Sequence, residues 1–199
     1  MKKKIFIICM IFLCLFLCFL GYKFFIVGNN KTIENVGQVN DYILNIKNYN
    51  IEAKVTVYSN KNSNTYNLNQ YKMDDYQRQE IINNDENYGL IIESENGKIT
   101  IKNTALDLAS VFENYNEVTS NATCLDSFIE DFKLSDKTEI TEDEQYYMLF
   151  VKVKNSQNKY LDNKTLYVNK KSNQIEKIEV RDVNNNRTVL IEYTRFEIL

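Results

Sequence analysis

Residues Ile5 to Leu20 read IFIICMIFLCLFLCFL, sixteen consecutive apolar residues that no small water-soluble domain could bury along its own length. Lys2, Lys3 and Lys4 precede the run, and Gly21, Tyr22 and Lys23 follow it before Phe24, Phe25, Ile26 and Val27. At about 1.5 Å per residue, a helix from Ile5 to Tyr22 spans roughly 27 Å, the thickness of a bilayer's hydrocarbon core. Positive charge ahead of the run places the amino terminus in the cytoplasm and the rest of the chain outside. Cleavage as a signal peptide needs small residues before the cut, whereas Leu17, Phe19, Leu20 and Tyr22 are large. Lipid attachment needs a small residue ahead of the cysteine, and Ile8, Leu13 and Leu17 precede Cys9, Cys14 and Cys18. Residues 1–28 therefore read as a cytoplasmic stub with an uncleaved transmembrane signal anchor. Residues 29–199 read as a single extracytoplasmic domain held at the cell membrane.

A domain of this length buries on the order of 70% of its unfolded surface and needs no disulfide. The first 28 residues hold four lysines and no acid, leaving 20 basic against 27 acidic residues in the domain. That excess of acid disfavours nucleic acid and anionic lipid, which need clustered Lys and Arg. The chain has no His, Pro or Trp. Without imidazole there is no Ser-His-Asp or Cys-His catalysis and no histidine metal site. Cys124 is the domain's lone cysteine and reads as a core residue with no neighbouring base. The expectation is a protein that is not an enzyme, with no catalytic, cofactor or metal residues to name.

The domain's pattern is α+β. Thr32 is read as the N-cap of a helix carrying Ile33, Val36, Val39, Ile43, Leu44 and Ile46 and ending near Asn48. Ile51 to Tyr58 alternates apolar Ile51, Ala53, Val55 and Val57 with polar residues, as a half-buried strand does. Ser59 to Asn64 supply a turn, and Thr65–Met73 and Tyr76–Ile82 continue as strands. Asn96-Gly97 between Tyr88–Ser94 and Lys98–Lys102 is a type I′ hairpin signal, because that turn needs positive φ at both central positions. Leu106–Tyr115 is expected to contain a short helix and Ala122–Phe132 another, with Cys124 and Leu125 on the apolar side of the second. Strands resume at Tyr146–Lys154, Lys164–Asn169, Gln174–Asp182 and Thr188–Phe196, separated by turns at Lys170–Asn173 and Asn184–Asn186. The expected architecture is a curved antiparallel sheet with an N-terminal helix and mid-chain helices on its concave face.

Four further motifs carry bland expectations. Glu139, Glu142, Asp143 and Glu144 lack the spacing and turn glycine of a calcium loop and read as a solvated loop. Asn121-Ala-Thr, Asn163-Lys-Thr and Asn186-Arg-Thr match glycosylation acceptors, as chance provides in so Asn-rich a chain. Tyr146 and Tyr147, beside Met148, read as strand packing rather than as lining a ligand cavity or facing a partner. Five glycines without a Gly-rich phosphate loop give nucleotide binding no support.

A helix ending at Asn48-Tyr49, the strand IEAKVTVYS, a hairpin, a mid-chain helix and the closing KTLYVNKKSNQIEKIEVRDVNNNRTVLIEYTRFEIL resemble the LolA-like lipoprotein-sorting superfamily. The resemblance covers roughly residues 32–198 and, within the superfamily, is to the clostridial germination lipoprotein GerS and its relatives. It implies a half-barrel sheet and a noncatalytic role. That role is to bind and license a spore-cortex or cell-wall amidase during sporulation, the enzyme that helps create muramic-δ-lactam, and so to support germination from the membrane or spore envelope. Two alternatives stand beside it, a carrier of lipid or lipoprotein acyl chains and an extracytoplasmic envelope sensor. Exposed strands also leave room for a homodimer.

Overall fold

Alternation of apolar and polar residues dominates the chain beyond residue 48, and in the computed structural model nearly every alternating stretch forms a strand. The structure describes residues 33, 35–59, 61–82, 89–113, 123–154 and 158–199. The leader, Thr32 and Asn121 lie outside them. No helix among the described residues is long and apolar enough to cross a membrane.

The described residues contain helix α1 (Val36–Leu44), strands β1 (Tyr49–Tyr58), β2 (Ser63–Met73), β3 (Tyr76–Ile81), β4 (Leu90–Glu95), β5 (Lys98–Asn103) and β6 (Leu108–Phe112). Helix α2 (Leu125–Leu134) follows, and then β7 (Thr138–Glu142), β8 (Tyr146–Lys152), β9 (Asn163–Asn169), β10 (Ile175–Arg181) and β11 (Arg187–Ile198). All eleven strands join one curved open antiparallel sheet in the order β6-β5-β4-β3-β2-β1-β11-β10-β9-β8-β7. The chain thus meanders outward from β1 to β6, crosses back through α2, and meanders inward from β7 until β11 pairs with β1. A register shift between Glu52 and Ala53 interrupts that central seam, and such bulges strengthen local twist.

Facing residues form a row across seven strands. It runs from Ile140 through Leu149, Leu166, Ile178, Ile191 and Val55 to Tyr66. The five central members are at most 1% exposed. Each buried aliphatic side chain contributes roughly 1.5–3 kcal/mol of transfer free energy before entropy is counted. Phe128 and Phe132 of α2 stack at 5.7 Å, one helical turn apart, and join Leu125 and Ile129 over this row. Val39 and Ile43 of α1 are fully buried in the same core. A nine-residue helix is marginal on its own, so this burial holds α1 in place.

Several expectations are corrected here. The cap of α1 is Asn35, whose Oδ1 accepts the Gln38 backbone N–H at 3.1 Å, and the helix ends at Leu44, not near Asn48. Ile33 and Ile46 are buried beyond its ends. Only one mid-chain helix is found among the described residues. Within Leu106–Tyr115, where a short helix is expected, Leu108–Phe112 instead forms β6, because Asp107 adopts φ of 52° and turns the chain back along β5; residues 114–115 lie outside the described residues. The acidic stretch read as a loop contains β7, where Thr138–Glu142 pairs with Tyr147–Val151. Val57 follows the alternation of β1 yet is 37% exposed, since it lies at the open end of the sheet.

Candidate docking surface

Helix α2 is seated by polar groups from the sheet. Its N-cap position holds Cys124, whose side chain makes no capping bond. Gln70 of β2 supplies the missing function: its Nε2 donates to the Thr123 carbonyl at 2.6 Å and its Oε1 accepts the Leu125 N–H at 3.4 Å. Asp126 in the first turn pairs with Lys72 at 2.7 Å, which also complements the helix dipole. Farther along, Lys164 of β9 is 1% exposed; it donates to Ser127 Oγ at 2.7 Å and pairs with Asp131. Burial pulls the Lys164 ammonium below its ordinary pKa, against the opposing pull of Asp131.

This cluster is built to position a helix. Gln77 donates to Cys124 Sγ at 2.8 Å, and the Tyr49 hydroxyl lies 3.8 Å from the sulfur. Burial pushes the Cys124 thiol up, with Asp126 adding to the effect, so the nucleophilic thiolate is disfavoured. Burial likewise raises Tyr49, and it raises Tyr193, whose hydroxyl is buried without a hydrogen-bond partner. Among the described residues no group of three His, Cys, Asp or Glu side chains could hold a metal ion.

The acids singled out from the sequence are dispersed in role. Glu142 pairs with Lys170 at 2.7 Å. The Asp143 carboxylate accepts the Gln145 and Tyr146 N–H groups at 2.7 and 2.6 Å, an Asx turn that leads into β8. Tyr147 is buried in the core, whereas Tyr146 lies on the opposite face and donates to Glu176 at 2.7 Å. Asn163 is buried and its amide donates to Asp162, which removes it as a glycosylation acceptor.

The sheet's two edges differ. At one edge β7 reads TEITE; its four polar residues are exposed and Ile140 turns inward against the core. At the other, β6 reads LASVF and is exposed along its whole length. Leu108 is 62% exposed, Val111 51% and Phe112 44%, and Leu106 in the preceding turn is 64% exposed. Register carries Phe112 through Ile99, Ser94, Gln77 and Lys72 to Tyr49, so Phe112 lies on the helix-bearing side of the sheet. On the other side, Glu93 gathers Lys102 at 2.6 Å, Arg78 at 3.6 Å and the Tyr76 hydroxyl at 3.3 Å. An exposed, uncharged apolar edge strand invites another chain. Sequence reasoning placed no docking residue here, although β-branched Val111 beside Phe112 is a strand signal.

The sequence profile for the sporulation protein YdcC-like family matches residues 2–199. The chain belongs to that family. Comparison with curated proteins yields no match. Among solved structures, the YdcC-like chain is similar to an uncharacterized conserved protein from Thermus thermophilus, with 9% identity and a TM-score of 0.54 over 82% of this chain and 86% of the other. It is also similar to a chain in the structure of the CwlD amidase from Clostridioides difficile in complex with the GerS lipoprotein. There the identity is 24% and the TM-score 0.52, over 84% of this chain and 98% of the other. A LolA superfamily protein from Nitrosomonas europaea aligns with 10% identity and a TM-score of 0.42, over 84% and 94% of the two chains.

Proposed function

We propose that this YdcC-like protein is a noncatalytic binding module that docks a cell-wall or spore-cortex amidase during sporulation and holds it in a productive state. The observation that carries this reading is the β6 edge: an exposed, uncharged strand on a fold shared with a chain from an amidase–GerS complex. A strand edge recognises its partner through backbone hydrogen bonds, while Leu108, Val111 and Phe112 offer apolar anchors. Licensing then follows if the docked surface fits the active conformation of the amidase better than the inactive one. The run Ile5–Leu20 supports anchorage in the membrane with the domain outside. The same edge is open to a second copy of the chain. A carrier of acyl chains is less well supported, because Ile43, Leu125, Phe128 and Leu149, each at most 1% exposed, fill space between helices and sheet.

The test is affinity capture of the full chain from carbonate-washed membranes of sporulating cells. An amidase should be recovered with it, and deletion of the gene should remove muramic-δ-lactam from cortex muropeptides. Normal muropeptides in the deletion strain overturn the licensing role, and release of a shortened soluble species by carbonate overturns the anchor.

A further inference from the structure

Far from β6, the sheet ends in an open groove of about 1110 Å³ between the β1–β2 turn, the β10–β11 turn and residues 158–161. We infer that this groove binds the glycan strand of the cell wall, a chain of N-acetylated sugars carrying scattered carboxylates. The inference rests on the amidase-docking reading for its source of ligand, since an amidase partner holds this domain beside its own substrate.

Two tyrosines give the groove its character. Tyr58 is 36% exposed and Tyr160 52%, so both side chains are reachable from solvent. Each carries a cation: the Arg187 guanidinium lies 5.9 Å from the Tyr58 ring centre and the Lys159 ammonium 5.0 Å from that of Tyr160. Tyr58 ends β1, where it pairs with Ser63, and the Tyr160 segment is tied to the sheet's end. Thr188 donates its hydroxyl to the Tyr160 carbonyl at 2.8 Å, and the Val183 N–H donates to the Lys159 carbonyl at 3.2 Å. Asn158, Asn186 and Asp182 line the same groove with amide and carboxylate groups. The Asp182 carboxylate accepts from the Asn184 N–H, the Asn186 N–H and the Asn186 amide at 2.9, 2.7 and 3.1 Å, which fixes the loop and disperses its charge.

An aromatic ring flanked by planar polar side chains suits a sugar, whose C–H face packs on the ring while its hydroxyl and acetamido groups meet donors and acceptors at the rim. The groove is open, and its volume lies at the upper end of the roughly 300–1,000 Å³ of ligand clefts. Charge narrows the ligand further. Lys61 and Arg187 line the groove with Asp182, and Arg187 also lies 3.6 Å from Glu179, in a domain that otherwise carries more acid than base. Two lining cations complement a few carboxylates spaced along a neutral chain; a polyphosphate would need many more.

The experiment is sedimentation of the full chain, in mild detergent, with purified protein-free sacculi. Wild type should pellet. Tyr58→Ala and Tyr160→Ala should each lower the bound fraction at least tenfold while leaving amidase capture within twofold, and N-acetylglucosamine hexamer should displace the bound protein. Tyr160 is solvent-exposed, so its removal spares the fold. A Y58A/Y160A double variant with wild-type melting that pellets like wild type overturns the inference, and so does a hexamer that displaces nothing. Loss of amidase capture with retention on sacculi intact supports the groove and strikes the docking reading alone.

Discussion

The β1–β11 seam divides the sheet into halves that use the same strand chemistry differently. On one side, β8 to β11 place Leu149, Leu166, Ile178 and Ile191 under two helices, and even polar Lys164 and Glu179 are at most 4% exposed. Glu179 is ringed there by Lys177, Arg181 and Arg187 at 3.4, 2.8 and 3.6 Å. On the other side, the core thins from Leu68 through Ile99 until β6 has no buried residue at all. Stability resides where apolar area leaves water, and recognition is available where it has not yet done so. The crossover through α2 produces this division, because it returns the chain to β7 over the later half of the sheet.

The largest expected effect falls on the covered half. Phe128→Ala removes a side chain that is 1% exposed and stacked on Phe132, and large-to-small changes at such sites cost about 3–5 kcal/mol. Urea unfolding should show the loss. A loss below about 1 kcal/mol would mean that the helix does not carry the core.

An intermediate effect belongs to the charged face of the outer half. Lys102, hydrogen-bonded to Glu93, holds the Glu93 carboxyl below its ordinary value against the upward push of burial. The unfolded carboxylate therefore takes up its proton at higher pH than the folded one, so acid favours unfolding. This contribution is fully present above about pH 4.5 and is lost as pH falls through the folded value. At neutral pH Glu93→Gln should cost about 1 kcal/mol or less, since the pair is partly solvated. Hydrogen exchange at β4 and β5 amides should show wild type and variant converging in acid; a difference that persists there would assign the cost to packing.

Legibility in the sequence follows the same division. The strands of the covered half were readable because burial on one face imposes alternation, as in Tyr147, Leu149 and Val151. The Asn96-Gly97 hairpin was readable because its residues tolerate the φ values of 50° and 74° found there. Asn173 and Asn185, at 56° and 66°, mark their turns in the same way. Strand β6 was not readable: both its faces are exposed, so Leu106, Leu108, Val111 and Phe112 follow no period of two. In β7 a single apolar residue, Ile140, sits among four polar ones, and the acids read as a loop. Gln70 as a helix cap was invisible because it acts from 55 residues away. The candidate docking edge is defined by the exposure of β6 among the described residues, and a sequence carries no local mark of that.

The smallest stability change should decide most about the two edges. Val111 is 51% exposed, so Val111→Lys should shift stability by no more than about 0.5 kcal/mol while placing a charge on the β6 edge. If β6 is the docking strand, amidase capture falls at least tenfold with melting unchanged. Glu139→Val makes the opposite exchange, removing a guard from β7, whose edge is kept from pairing by its charges. That variant should keep the amidase and gain concentration-dependent association, visible as light scattering. Loss of capture in E139V with normal capture in V111K would move the docking surface to β7. It would also imply that the apolar character of β6 serves contact with a second copy, because an uncharged edge left without a partner is one that aggregates.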